Sequence, residues 1–374
     1  MGKQLTILFL FVLSVFVFVT LAQSQETKII NEKGIPVVYN PKTPVKVPNE
    51  PKGLHLEENI TIGQQSTKEE PLFYRIRAIQ VDDNENIYIL DNKACQIKTF
   101  DSESRLKNTF GMKGQGPGEM HLPWLINLTL KNQIMLYDVG NRRISLFSLD
   151  GTHLNDVSTA STILLNLVSI LKDGSFIGTD VIYKGDKSVY EFNKYDSSFK
   201  KKLTISSVER PYDRNILRFF QPRIFFRAFN NGNVLWGNDH SYVLHITNSE
   251  GIEIKRICRE YDSIKITEED KKREIEMRIG EQGPPAGTEM KFPSHFPVFD
   301  HFHICDEGRI YVRTYEKSKD GGIFYDVFDS FGRYIIKVSL KTTLRVIRKN
   351  KLYSVEENQE GMHLVKIYNL KWEY

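Results

Sequence analysis

Short apolar runs rich in β-branched and aromatic residues fill most of the chain, and clusters of Asp, Asn and Gly separate them. Ile87-Tyr88-Ile89-Leu90-Asp91 follows the turn Asp82-Asp83-Asn84-Glu85-Asn86; Gln96-Ile97-Lys98-Thr99-Phe100 comes next, and another turn starts at Asp101. This predicts strand, tight turn, strand, loop, strand, turn and strand within residues 76–119. The unit recurs at Gln133–Asp138 with Arg143–Phe147, at Gly174–Ile177 with Tyr190–Asp196, and at Gly232–Trp236 with Tyr242–Ile246. It appears again at Gly308–Val312 with Phe324–Asp329, and at Lys351–Val355 with Leu364–Tyr368. The Asp/Asn-Gly pairs at the turns are hairpin signals, because such tight turns need positive φ.

Second strands start near residues 87, 134, 175, 233, 309 and 351. Most intervals slightly exceed forty residues, the length of a four-stranded blade, and the two longer ones hold insertions. Six copies predict an all-β fold over residues 57–374: a six-bladed β-propeller with four-stranded antiparallel blades. The sixth copy holds only three strands before Tyr374, while an unassigned strand, Leu56 to Ile62, precedes the first. Pairing that N-terminal strand into the last blade completes it and removes open sheet edges. One segment leaves the β pattern. Thr267 with Asp270 forms a capping-box signature, Glu268–Lys272, Glu269–Arg273 and Glu274–Arg278 are (i, i+4) pairs, and Gly280 is a stop. These residues predict one helix over 267–279, in an insertion of about residues 262–292 between blades 4 and 5.

The N-terminus carries a different signal. Lys3 precedes a nearly unbroken apolar run from Leu5 to Ala22, and small residues follow at Ala22 and Ser24. Residues 1–25 therefore read as a cleaved signal peptide, with an uncleaved anchor as the alternative. No cysteine follows the run, so a lipoprotein is not expected. Pro36, Pro41, Pro44, Pro48 and Pro51 punctuate residues 26–56, which predicts an extended, partly solvated lead-in. No later run is apolar enough to span a membrane, and the expected product is exported to the periplasm, the cell surface or the medium.

Charge narrows the partners. Lys and Arg number 51 against 47 Asp and Glu, a formal +4, and the signs are interspersed. Such a balance gives no long-range pull toward nucleic acid. Cys95, Cys258 and Cys305 are too few for a disulfide framework and are expected as buried thiols. Asp82, Asn84 and Asn86 have calcium-loop spacing, but Ile87 and Lys93 stand where that loop needs Gly and Glu. Walker, G-x-S-x-G, H-E-x-x-H and dinucleotide motifs are absent.

Phe110-Gly111-Met112-Lys113-Gly114-Gln115-Gly116-Pro117-Gly118-Glu119 resembles the fG-x-x-G-x-GPGE signature of bacterial exported six-bladed propellers related to NHL-repeat proteins. The Asp-x-x-x-x-Ile segments with a following Phe-Asp turn, the Pro-rich lead-in and the helical insertion also match, over about residues 35–370. The resemblance implies the propeller fold and a loosely defined binding role. Many members are lipid-anchored, and this chain lacks the cysteine for that.

Four segments are expected to converge on the loop face where propellers hold ligands: Gly114–Glu119, Asp138–Arg143, Arg218–Arg227 and Gly283–His303. Glu119 either closes an anion-cradling loop or caps an interblade turn. Asp138 and Arg142 either line a channel mouth or hold a turn. Arg218, Arg223 and Arg227, interleaved with Phe219, Phe220, Phe225 and Phe226, suit a carboxylate or a sugar; the alternative is linker packing with snorkelling arginines. His295, Asp300, His301 and His303 are the one local set with metal-ligand chemistry, since i, i+2 places two histidines on one strand face. Two functions follow. The first is a monomeric, non-catalytic extracytoplasmic binding scaffold for a protein, peptide or glycan, needing no cofactor. The second is a metal-dependent, lactonase-like hydrolase or lyase, with one divalent ion at the channel mouth held by the His/Asp set.

Overall fold

The computed structural model describes residues 26–160, 164–280, 283–284 and 287–374. The export leader read over residues 1–25 lies outside the described residues. The chain opens with β1 (Lys28–Glu32), β2 (Ile35–Asn40) and β3 (Gly53–Ile62). Blade 1 is β4 (Ile76–Val81), β5 (Ile87–Asp91), β6 (Gln96–Phe100) and β7 (Leu106–Phe110). Blade 2 is β8 (Pro123–Leu128), β9 (Gln133–Asp138), β10 (Arg143–Ser148) and β11 (His153–Ser158). Blade 3 is β12 (Leu164–Ile170), β13 (Phe176–Lys184), β14 (Lys187–Tyr195) and β15 (Lys201–Pro211). A short strand, β16 (Ile216–Arg218), precedes blade 4, which is β17 (Ile224–Ala228), β18 (Val234–Asn238), β19 (Val243–Thr247) and β20 (Glu253–Arg259).

The insertion follows, with α1 (Glu268–Ile279) and β21 (Glu289–Lys291). Blade 5 is β22 (His301–Ile304), β23 (Ile310–Lys317), β24 (Ile323–Phe328) and β25 (Tyr334–Leu340). Blade 6 is β26 (Val346–Arg348), β27 (Lys351–Glu357) and β28 (His363–Glu373), and β3 completes it by antiparallel pairing with β28. The fold is thus a six-bladed propeller closed by an N-terminal strand. The first strands of the blades touch in sequence around the ring, β26 closing on β4, and enclose a central channel.

Local chemistry explains the blades. In blade 2, the Asp150-Gly151 turn joins β10 to β11, and Gly151 sits at φ 92°, a region that favours glycine. A Cβ there would also lie 2.5 Å from the Phe110 ring of blade 1. Between blades, apolar faces merge into clusters: Tyr88, Leu90 and Ile97 of blade 1 pack with Ile126, Leu136 and Phe147 of blade 2. Asp82 accepts hydrogen bonds from the backbones of Asn84 and Asn86 at 2.9 and 2.8 Å, so the calcium-like spacing builds a turn.

The lead-in is more ordered than a partly solvated tether. Lys33 and Gly34 turn β1 into β2, and β2 pairs in parallel with β20, so blade 4 becomes six-stranded. Val37 and Val38 are fully buried there. The Asn40 amide donates to Gly332 O at 2.9 Å and accepts from Tyr334 N at 2.8 Å, which ties the strap to blade 5. Val45 N then donates to Tyr334 O at 2.8 Å before the chain enters β3. Pro36 precedes Val37, where the pairing with β20 starts, and the buried Val37 and Val38 hold the strap in place.

The helix forms as the capping signal predicts. Thr267 Oγ1 accepts from Asp270 N at 3.2 Å and the Asp270 carboxylate accepts from Thr267 N at 3.0 Å. Of the three predicted (i, i+4) pairs only Glu274–Arg278 forms; Lys271 pairs with Glu268 and Arg273 with Asp270 instead. Asp270 is drawn to Lys317 of blade 5 at 2.8 Å, which anchors the helix start. β21 pairs in parallel with β16, and Phe219, Phe220 and Phe296 form a small core with Phe292, Ile275 and Ile279.

Candidate functional site

The carboxylates nominated on blades 1 and 2 are engaged with their own turns. Asp91, Asp138 and Asp239 each end or follow a second strand and accept backbone N–H groups from the segment entering the first strand of the same blade. Tyr74 N reaches Asp91 at 2.7 Å, His121 N reaches Asp138 at 2.9 Å, and Arg223 N reaches Asp239 at 2.8 Å. Asn141 adds a 2.7 Å bond to Asp138. Glu119 folds back onto Gly116 N at 2.8 Å, while Arg143 donates to Gly116 O and Glu119 O, each at 2.8 Å. The glycine loop thus offers carbonyls to Arg143 rather than amides to an anion. Arg142 donates to the Ala160 carbonyl.

The Arg/Phe segment divides. Arg218 lies on β16, opposite Lys291 of β21. Phe219 stacks on Phe292 at 4.1 Å and Phe220 packs edge-on to Phe296, so these rings form core, with Arg278 over Phe219. Arg223 enters a network between blades 4 and 5. It contacts Asp239 at 3.1 Å, Asp300 at 3.3 Å and Tyr315 Oη at 3.1 Å. Burial opposes its charge, but Tyr315, Asp239 and Asp300 outweigh it and hold its pKa above the ordinary value. Arg227 takes another path, into the channel.

The histidine set divides as well. His295 lies in the insertion, bridged to Lys265 and bonded to Ser294 Oγ at 2.9 Å. Asp300 accepts from Tyr315 at 3.2 Å, contacts His301 Nδ1 at 3.0 Å and lies 3.4 Å from Arg313. Burial works against the Asp300 charge, but His301, Arg223 and Arg313 prevail and hold its pKa well below the carboxylate range. His303 meets His301 edge to face, with ring centroids 4.9 Å apart. Among the described residues no three His, Cys, Asp or Glu side chains form a metal-holding group. The four residues read from the sequence do not come together as one group among the described residues, and Arg223 and Arg313 lie 3.3 and 3.4 Å from Asp300.

What the channel does bring together is a polar ring. The residue before the last of the first strand is Gln80, Asn127, Ser169, Arg227 and His303 in blades 1 to 5. These five line a cavity of about 350 Å³, which reaches the turns between first and second strands at Leu130, Lys172, Asn230 and Asp306. The volume falls in the roughly 300–1,000 Å³ range of ligand pockets. Arg77 and Arg345 also line it, and Arg77 lies 3.6 Å over the Trp124 ring. Both are open to the channel yet ringed by protein. Burial pushes the Arg227 guanidinium down to about 10, and burial with neighbouring arginines lowers Arg77 and Arg345. Sequence reasoning nominated Arg227 and His303 but missed Gln80, Asn127, Ser169, Arg77 and Arg345. Counting back from each first turn would have aligned the ring.

The buried histidines set a pH dependence. Burial, then His301 and Arg227, Arg345 and Arg313, lower His303 well below its ordinary 6.5. Burial lowers His301 too, against the pull of Asp300. Below about pH 6.5 the unfolded chain binds protons that the folded chain refuses, so stability falls as pH drops through that value. The loss reaches up to about 1.4 kcal/mol per pH unit for each histidine. Urea midpoints between pH 7.5 and 5 should fall, and His303→Gln should flatten the slope; an unchanged slope in His301→Gln/His303→Gln refutes this origin.

A closed propeller with a polar, arginine-bearing channel is the class these features define. Residues 64–329 match the family DUF5128, 6-bladed beta-propeller, and the chain belongs to that family. No curated protein matches it. Among solved structures it is similar to a Bacteroides fragilis protein whose name marks it as exported. That match has 12% identity and a TM-score of 0.54, and covers 90% of this chain and 100% of that one. A DUF4221 member from Bacteroides vulgatus gives 10% identity and a TM-score of 0.50, with 86% and 100% covered. Virginiamycin B lyase from Staphylococcus aureus gives 10% identity and a TM-score of 0.42, with 84% and 99% covered.

Proposed function

We propose that this protein is an exported, non-catalytic binding propeller that takes a small ligand, or one group of a larger peptide or glycan, into its central channel. The observation that carries this reading is the convergence of Gln80, Asn127, Ser169, Arg227 and His303 on one cavity of about 350 Å³. Polar and charged side chains share the wall with Ile79, Val81, Leu128, Ile170 and Phe226. Its opening lies among the turns between first and second strands, the opposite end from the loop face nominated by sequence. Export is supported by the charged start and apolar run of residues 1–25, and by the name of the Bacteroides fragilis relative. No helix among the described residues is long and apolar enough to cross a membrane. Asp300 and His301 favour the second reading, a hydrolase or lyase, since a 3.0 Å carboxylate–imidazole pair can orient a general base.

Retention against turnover separates the two. Purified protein incubated with small molecules from the cell envelope should retain one of them with its mass unchanged. Ala228→Trp, which fills the cavity wall, should abolish retention. Catalytic conversion that disappears in His301→Ala would overturn the binding reading.

A further inference from the structure

The channel wall is electrically lopsided. Lys172, Arg77, Arg227, Arg345 and Arg348 line the cavity against a single acid, Asp306. Arg348 is paired with Asp83 at 2.5 Å. The others differ. Among the described residues, Arg227 donates only to the Phe226 carbonyl, at 2.9 Å, and Arg77 has only the Trp124 face. Among the described residues no carboxylate acts on Arg77, Arg227 or Arg345; Arg345 and Arg75 act on Arg77, Arg313 acts on Arg345, burial alone acts on Arg227, and Arg227 and Arg345 both act on His303. Several arginines elsewhere meet carboxylates, as Arg259 with Asp326, Arg223 with Asp239 and Arg333 with Asp329, while buried Arg210 stacks on the Tyr190 ring.

His303 adds a second, independent sign. Its Nε2 is buried and meets no hydrogen-bond partner among the described residues. A buried polar atom left unpaired costs free energy, as do like charges crowded in a protein-walled space. One occupant removes both costs: an acceptor with several negatively charged oxygens. Guanidinium groups match that geometry with paired N–H donors, and His303 Nε2–H supplies another.

We propose that the central channel is a site for a multiply charged oxyanion, a phosphate group or a di- or tricarboxylate, held by Arg77, Arg227, Arg345 and His303. This rests on the binding reading above and adds the ligand class. The cavity is large enough for the anionic head of a bigger molecule whose body extends past Lys172 at the opening.

Inorganic phosphate and malonate are the probes, each titrated against chloride at matched low ionic strength, with calorimetry and thermal melting as readouts. At least one should bind and raise the melting temperature above the chloride value, in a concentration-dependent way. Binding of phosphate alone marks a phosphorylated ligand, and binding of malonate alone marks a carboxylate one. Arg227→Met/Arg345→Met should weaken that binding roughly tenfold or more. Without anion the same variant should melt no lower than the parent, because it loses unpaired like charges. Arg142→Ala, outside the channel, should leave binding unchanged. Failure of both anions, or undiminished binding in the double variant, overturns the proposal. A neutral or cationic molecule retained in the channel would overturn it while leaving the binding reading intact.

Discussion

A chain beginning at Gly63, and so lacking β3, is expected to lose its cooperative fold and to aggregate. β3 pairs with β28 along nine residue pairs, from Gly53↔Glu373 to Ile62↔Val365. A register shift falls between Ile367 and Tyr368, opposite Asn59, and the extra residue turns the strand over. Leu54 and Leu56 therefore pack into the cluster between blades 5 and 6, while Ile60 and Ile62 pack between blades 6 and 1. One strand thus seals both flanks of the closing blade. Full burial of such side chains contributes roughly 1.5–3 kcal/mol each, and these four, partly buried on average, contribute about 5 kcal/mol or more. That is comparable to the whole stability of a typical domain, about 5–15 kcal/mol. Loss of β3 also bares the β28 edge, a template for aggregation. The comparison is a chain beginning at Gly53, which keeps β3 and should remain a folded monomer with a lower urea midpoint. Equal midpoints for the two chains, by circular dichroism and size-exclusion chromatography, would show that β3 does not close the ring.

Much of this closure is legible in the sequence, because it depends on local signals. Leu56 to Ile62 alternates beyond any blade, and Asp150-Gly151, Asp173-Gly174 and Asn231-Gly232 mark hairpins, while Glu85, Ser104, Asn132 and Phe199 take positive φ at turns without such a pair. Thr267 and Asp270 announce the helix through a contact three residues apart. The β1–β2 hairpin is less legible, since its stability comes from Val37 and Val38 against β20, over two hundred residues away. Its one local sign is the Lys33-Gly34 turn, which the surrounding prolines obscure. The site is harder still. Arg77, Arg227 and Arg345 are isolated residues in the chain, and only ring closure sets them around one cavity. His301 and His303 are conspicuous as a pair, yet their surroundings, Asp300 with Arg227, Arg313 and Arg345, are drawn from blades 4, 5 and 6.

The same separation governs the interface between blades 4 and 5, where Asp326→Ala is expected to destabilise the protein by about 3–5 kcal/mol. Asp326 is fully buried on β24 and accepts from Tyr242 Oη at 2.6 Å and from Tyr334 Oη at 2.8 Å. Arg259 on β20, itself almost inaccessible, lies 3.1 Å from it and stacks near both tyrosine rings. Burial, with Asp326 second, raises the Tyr242 and Tyr334 phenols far above their ordinary pKa, so both stay protonated as donors. Arg259 also donates to Lys42 O at 2.8 Å, which links the network to the N-terminal strap. Removing the carboxylate leaves a buried guanidinium without its counter-charge and two phenols without their acceptor, and that penalty exceeds the loss of any one contact. Asp326→Leu combined with Arg259→Met removes both charges and should recover a large part of the loss, because the burial cost of the ions disappears with them. Urea denaturation of the single and double variants measures the difference. A single-variant loss below about 1 kcal/mol, or a double variant no better than Asp326→Ala, would mean that the apolar packing of Phe299, Phe302 and Phe328 holds these blades together without the ion pair.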